Sequence, residues 1–576
     1  MPYLVLNVYL RGFTYAFMIV EFLIIPCLFV SFAGWGAWAK MLTGIKADSF
    51  SLSIILGFSL FSILTCVLSF FIPLDFYAEL VLMILSLLPF FLRKMRINMI
   101  RFPKELLRSV WFWVFCIVIL LAGSFYPFRP DYFSYYLPSI NWLDHYGLII
   151  GVANIDWNFG QMSALHIIQA GLDQTLDPFQ RIGIFITILF LVYIFEKKTY
   201  LLLFIIPFFF LFIQTPSTDL AIVFLSLIVV NELCFNYRVE NYKLLFLISV
   251  FTFIIKPVAF WLPVWTFAAG LLLNKKELKD FRIYLFPMLL VVLFLIKNVI
   301  ASSTLLYPIS FTKLNTYWLP NFQILDLSNQ RASIFTFGRY FTINEINSMS
   351  FFQKVYYWLS IDKLQTIINC FMVAAIVLFG VFVFFKKNIL YSALWIIVVV
   401  KSVIVFSFSG QFRFIIDGVF PLLFIMFYPV LTGKTKILIP ALAFSFMFLI
   451  LIGYPPLLKR NIPGFKLTKW MKGFKEKTLL LPGNYVINKY AVENIGNINF
   501  YISSFIYNYD TPPPAFSEDK LREYYKLGVF PQMEDTANIR KGYYMKILTS
   551  EEKEKLGKII DKYFATSENQ IFHSSQ

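Results

Sequence analysis

The residues best equipped for chemistry lie in one stretch, Phe128-Arg-Pro-Asp131-Tyr-Phe-Ser-Tyr-Tyr136-Leu-Pro-Ser-Ile-Asn-Trp142, followed by His145-Tyr-Gly147 and Gly151-Val-Ala-Asn154-Ile-Asp156-Trp-Asn158-Phe-Gly160. It begins where a long apolar run ends. A carboxylate at such a boundary sits in low dielectric, which raises its basicity, and a lipid-borne substrate can reach it. The bland role for Asp131 is to cap the helix that follows. That helix is expected to be amphipathic, with Tyr136, Ile140 and Leu143 on one face. Further along, Arg413 follows Ser409-Gly410-Gln411 at a helix start, where a guanidinium fork matches the geometry of a phosphate. Lys256 lies inside an apolar stretch beside Pro257, and a cation there needs a partner or a function. Snorkelling for Arg413, and a pair with Asp417 or Asp219 for Lys256, are the structural alternatives. Asp156 and Asp219 could assist Asp131 by orienting hydroxyls, or share a divalent ion such as magnesium or manganese through oxygen ligands. No cofactor is required by any motif. His145 and His166 read as hydrogen-bonding residues, since no His-x-x-x-His spacing occurs.

These side chains must be held by helices in a bilayer. Of 576 residues, 59% are hydrophobic and 14% charged, with a mean hydropathy of +0.71, which excludes a water-soluble globular domain. Runs of membrane length are expected near 15–37, 50–72, 75–92, 109–126, 180–196, 198–214, 218–235, 243–257, 258–274, 283–300, 366–386, 388–407, 412–431 and 437–454. That is a bundle of about 14 transmembrane helices over 1–455, with a small α/β extramembrane region over 456–576. The pieces around Lys256-Pro257 are short enough to form one broken helix and a re-entrant segment instead. Met1 to Phe13 lacks the pattern of a cleaved signal peptide.

The formal charge of +17 does not point to nucleic acid, because the basic residues gather at the ends of apolar runs. Arg93, Lys94, Arg96, Arg101, Lys104 and Arg108 crowd one connection, which places it in the cytoplasm and both termini outside. Loops 127–179 and 301–365, rich in Tyr, Trp, Phe, Pro and Asn, then face outward with the C-terminal region. Seven basic residues between Lys459 and Lys477 run against that topology and could contact lipid phosphates. Cys27, Cys66, Cys116, Cys234 and Cys370 sit in or beside apolar runs and read as small hydrophobes. Walker-type loops, GxGxxG and GxSxG are absent from the sequence, which removes support for ATP-driven transport, dinucleotide chemistry and serine hydrolysis.

The progression Asp131, Ile140, Trp142, Tyr146-Gly147, Gly151 and Asn154 resembles the GT-C class of polytopic glycosyltransferases, and most nearly an uncharacterised branch of bacterial integral membrane proteins associated with surface polysaccharides. The chain departs from that pattern with Tyr136 and Asp156, where the branch usually has His. Shorter matches follow in order: Thr215 to Asp219, Ile255-Lys256, Lys297-Asn298 leading to Leu306-Tyr307-Pro308, Gln411 to Phe414, and Arg540 to Tyr543.

The resemblance implies transfer of a sugar from a polyprenyl-phosphate carrier to a glycan or lipid-linked acceptor, on the outer face of a bacterial cytoplasmic membrane. Asp131 would take the acceptor's proton with Asp156 and Asp219 assisting. Arg413, Lys256, Lys297, Tyr136, Trp142, Asn154 and Tyr307 would hold substrate. A polymerase or ligase acting on polyprenyl-diphosphate glycans would use the same cations. A transporter or flippase for lipid-linked saccharides should show internal repeats with charged residues at mid-membrane, and no clear repeat is visible.

Overall fold

Long apolar segments that must satisfy every backbone polar group internally become helices, and about 70% of this chain is helical. The computed structural model describes residues 18–338, 340–361, 363–431, 433–454, 456–458, 482–485, 489–503 and 506–564. The Met1–Phe13 segment and the Lys459–Lys477 basic run lie outside the described residues.

The principal helices are α1 (Met18–Thr43), α2 (Phe50–Ser69), α3 (Phe76–Phe91), α4 (Val110–Ser124), α5 (Leu137–Tyr146), α6 (Ala164–Ala170), α7 (Ile182–Lys197) and α8 (Thr218–Cys234). Then follow α9 (Tyr242–Ile255), α10 (Trp261–Leu273), α11 (Arg282–Ser302), α12 (Phe322–Thr336), α13 (Lys363–Lys386), α14 (Ile389–Phe408), α15 (Ile416–Phe427) and α16 (Lys434–Gly453). Among the described residues six helices are long and apolar enough to cross a membrane: α1 from Glu21, α2, α11, α13, α14 and α16.

The expected count of fourteen is therefore not what the helices show. At 1.5 Å per residue, α4 and α15 fall short of a hydrocarbon layer about 30 Å thick. The run at 198–214 forms two 3₁₀ pieces, Tyr200–Phe204 and Ile206–Phe209, because Pro207 has no N–H to continue a helical ladder. The break expected at Lys256-Pro257 is present. Lys256 adopts an extended backbone before Pro257, a 3₁₀ turn spans Pro257–Phe260, and α10 begins only at Trp261. The 301–365 loop also contains α12 and two shorter helices, Ile343–Ser348 and Phe351–Trp358.

Close packing of α1 on α2 and α3 uses small residues. A Cβ on Gly34 would lie 1.7 Å from the Ser86 carbonyl oxygen, so any larger residue would push the two backbones apart. The Ser31 and Ser86 hydroxyls bond across the same seam at 3.1 Å. No cysteine forms a disulfide.

The C-terminal region is small and mixed. β1 (Tyr490–Ile495) pairs antiparallel with β2 (Ile498–Ser503), which pairs parallel with β3 (Ala515–Phe516). α17 (Glu518–Leu527), the antiparallel pair β4 (Val529–Met533) and β5 (Tyr543–Ile547), and α18 (Ser550–Phe564) complete it. Phe500, Phe516, Tyr524 and Phe530 form its aromatic core. The core continues into Trp142, Ile155 and Trp157 of the 127–179 segment, so this region caps that segment.

Candidate functional site

Four helix ends and breaks converge on Asp131. The chain leaves α4 at Ser124, runs without regular structure to Arg129, becomes helical at Pro130 and continues through Tyr132–Tyr136 into α5. Asp131 makes no capping bond there, so the cap role is not the one it plays. Its Oδ2 instead accepts from Arg129 Nη2 at 3.1 Å and from Arg413 Nη1 at 2.5 Å. Arg413 sits on the 3₁₀ turn Phe412–Phe414 between α14 and α15. Asp219, in the first turn of α8, pairs with Lys256 at the α9–α10 break and lies 4.0 Å from Arg129. The carbonyl that the break orphans at Ile255 accepts from the Ser163 hydroxyl at 2.6 Å, which fixes the extended segment that aims Lys256.

Phe414 joins the group as a shared wall, with Lys256 Nζ 4.5 Å and the Arg413 guanidinium 5.0 Å from its ring centre. Arg129 stacks on Phe212 at 4.5 Å. Three cations thus face two carboxylates. Asp219 is closed off at 1% exposure, but Asp131 and Arg413 each keep 22%, so the cluster opens to solvent at one side. Arg413 Nε is buried with no hydrogen-bond partner among the described residues.

Burial alone would push the Asp131 carboxyl up. The Arg413 and Arg129 guanidiniums outweigh it and hold the group well below the usual carboxylate range. Asp131 is therefore ionised in this arrangement and, while both guanidiniums are on it, a weak proton acceptor. Arg413 is correspondingly held above its ordinary value by Asp131 and Asp219 despite burial.

The structure brings together Asp131, Asp219, Lys256 and Arg413, with Tyr136 beside them. Tyr136 is buried and packs 4.6 Å from the His166 ring. His166 is fully buried and closes a capping box with Ser163; burial and Lys297 push its pKa down to about 3, so it is neutral.

Asp156 is elsewhere, as the cap of the 3₁₀ turn Trp157–Gln161 and 3.2 Å from Lys520 of the C-terminal region. Asn154 Nδ2 donates to the Trp318 and Tyr543 carbonyls at 2.9 and 3.0 Å, and Tyr524 OH donates back to the Asn154 carbonyl at 2.8 Å. Trp142 stacks edge-on to Tyr543, and the Tyr307 ring presses against Gly160. Asp156, Asn154, Trp142 and Tyr307 therefore belong to the joint between loop and cap, where they dock the C-terminal region. Lys297 is buried in α11 and donates to the Met162 carbonyl at 2.5 Å. His145 is exposed, its Nδ1 2.8 Å from the Asn141 carbonyl.

Arg129 is the member that sequence reasoning passes over. Its signal is its place two residues before Asp131 in Arg-Pro-Asp, a cation beside a carboxylate at the end of an apolar run. A shared divalent ion does not fit these residues. Both carboxylates are already matched by cations in excess, and among the described residues no group of three or more His, Cys, Asp or Glu could hold a metal.

An all-helical bundle with membrane-length apolar members, carrying a part-open cation-rich cluster where its helices end and break, is the class that fold and site define. The chain belongs to the family described as domain of unknown function DUF8201, whose model matches residues 18–420. That span includes all five charges of the cluster and stops short of the C-terminal cap. No curated protein and no solved structure matches the chain.

Proposed function

We propose that the chain is a polytopic membrane glycosyltransferase that moves a sugar from a polyprenyl-phosphate-linked donor to a glycan or lipid-linked acceptor, with the Asp131 cluster facing outward. The observation that carries this reading is the charge balance of the cluster, three cations to two carboxylates, beside an unpartnered Arg413 Nε–H and an opening to solvent. A phosphodiester brings the one negative charge the group lacks, and a planar guanidinium binds it by two parallel donors.

The reaction follows from that exchange. A donor phosphate that draws Arg413 away from Asp131 removes the stronger of its two charge-assisted bonds and raises the basicity of the carboxylate. The acceptor oxygen attacks the anomeric carbon as its proton passes to Asp131, and the bond from that carbon to the phosphate oxygen breaks. Polyprenyl phosphate leaves with one more negative charge than the diester carried, and Arg413, Arg129 and Lys256 stabilise it. Asp219 positions Lys256 and does not touch the reacting atoms in this scheme.

The test uses undecaprenyl phosphate and uncharged undecaprenol as probes on the purified protein in nanodiscs. The phosphate should bind at least about tenfold more tightly, in a salt-dependent way. Equal binding of the two lipids would overturn the assignment.

A further inference from the structure

Lined by none of the cluster's residues, a cavity of about 900 Å³ opens between α1, α4 and α7. Its floor is apolar and closed: Ile25, Phe112, Cys116, Leu120 and Val192 are all buried. Its rim is apolar and open, with Phe22 51%, Leu107 50% and Val30 44% exposed. Pro26, inside α1, also lines it. Two cations stand at one end, Arg96 and Arg101, both exposed and neither paired with a carboxylate among the described residues.

A soluble ligand does not suit such a site, because its walls are continuous with the bare apolar faces of the helices. A chain-like apolar body with one anionic end does suit it. The position of that end is also informative. Arg96 and Arg101 precede α4, whereas Asp131 follows it, and 15 residues of helix hold the two ends roughly 22 Å apart. A lipid with its phosphate on these arginines therefore lies at the end of α4 remote from Asp131, out of reach of Arg413. The cavity is too large to be a packing defect and falls in the size range, about 300–1,000 Å³, of sites that hold a ligand.

We propose that this groove holds the acyl chains of an anionic glycerophospholipid, with its phosphate against Arg96 and Arg101. The proposal rests on the membrane placement argued above but not on sugar transfer, so the two can fail separately. The experiment takes the delipidated full chain in a neutral detergent and follows thermal unfolding as phosphatidylglycerol, phosphatidylcholine or inorganic phosphate is added. Phosphatidylglycerol should protect the wild type at roughly tenfold lower concentration than phosphatidylcholine, and inorganic phosphate should not protect it. The double variant Arg96→Gln/Arg101→Gln should lose that preference while keeping the weaker protection by either lipid. Ala33→Phe, which fills the groove and leaves both arginines in place, should lose protection by both lipids.

Equal protection by the two lipids in the wild type, or a preference that survives loss of both arginines, overturns the headgroup assignment. Protection by inorganic phosphate as strong as by phosphatidylglycerol, or full lipid protection of Ala33→Phe, overturns the groove as the binding place. Undecaprenyl phosphate binding should be unchanged in all these variants, and a loss there would place the donor in this groove and overturn the proposal.

Discussion

Two sets of carboxyl groups lie within the 127–181 segment, and the chain treats them in opposite ways. Asp131 is held by Arg413 and Arg129, which keep it ionised and leave the surrounding group with a surplus of positive charge. Further along, Asp144 and Asp173 are buried and bond to each other, with Asp177 and Glu79 close by. Burial and these acidic neighbours push Asp173 up to about 8 and Asp144 well above the usual range, so the pair keeps a proton. The residue type is the same and the neighbours decide its charge. A third arrangement, Lys401 with Asp417, is fully buried and balanced one to one, and Trp261 Nε1 donates to the second oxygen of Asp417 at 2.7 Å. A closed and satisfied pair of this kind serves structure. An open and unbalanced one is where a ligand of opposite charge can enter.

The largest effect that could break this contrast is on transfer. Asp131→Asn keeps the size of the side chain and can still accept from one guanidinium, but it cannot take a proton. Sugar transfer should fall by about 100-fold or more, with undecaprenyl phosphate still bound and the protein still folded. A variant that transfers at the wild-type rate would move Asp131 from the chemistry to the scaffold.

Arg413 gives the next effect. Arg413→Ala should weaken undecaprenyl phosphate binding by about 10- to 100-fold, the range of one or two charge-assisted bonds, and Arg413→Lys by less because the charge remains. If alanine and lysine variants bind as the wild type does, the surplus charge has no role in holding phosphate.

Asp156 tests whether position along the sequence or position in space decides function. Asp156→Asn weakens the pair with Lys520 but should leave transfer within about threefold, while limited proteolysis should release the C-terminal cap faster than in the wild type. A dead but well-capped variant would return Asp156 to the site.

These residues also show what could be read before the fold was known. Asp131, Asp219, Lys256 and Arg413 each announced themselves, as charges at the ends or breaks of apolar runs where solvation is costly. Their meeting did not, because Arg413 lies 282 residues beyond Asp131 and nothing local encodes that approach. Asp156 is near Asp131 in sequence but not in space. The intervening π-turn and α5 carry the chain away, and its partner Lys520 belongs to a region whose docking has no periodic signal. The bundle was legible from hydropathy, since apolar runs in a bilayer have few alternatives. Its helix count was not, because Pro207 breaks a run that composition alone reads as continuous, and α4 and α15 are shorter than the runs that contain them.

The smallest predicted effect sharpens the contrast between the two acid sets through pH. A carboxyl of the unfolded chain titrates near about 4. Burial and its acidic neighbours push Asp173 up to about 8 in the folded state, so between these values the native protein holds a proton that the unfolded chain has released. Stability contributed by this group therefore falls as pH rises from about 4 and levels off above 8. Asp131 has the opposite sign: its depressed value makes its contribution fully present above about 4, lost only as the pH falls further. Asp173→Asn cannot ionise, still meets Asp144, and removes the downward slope. The Tm of Asp173→Asn relative to wild type should rise steadily between pH 5 and 8.5, by a few degrees. The corresponding difference for Asp131→Asn should stay flat over the same window, because Asp131 is already ionised throughout it. Parallel curves for Asp173→Asn and wild type would mean that Asp173 is ionised at neutral pH. The two sets of carboxyls would then differ in their neighbours without differing in their charge.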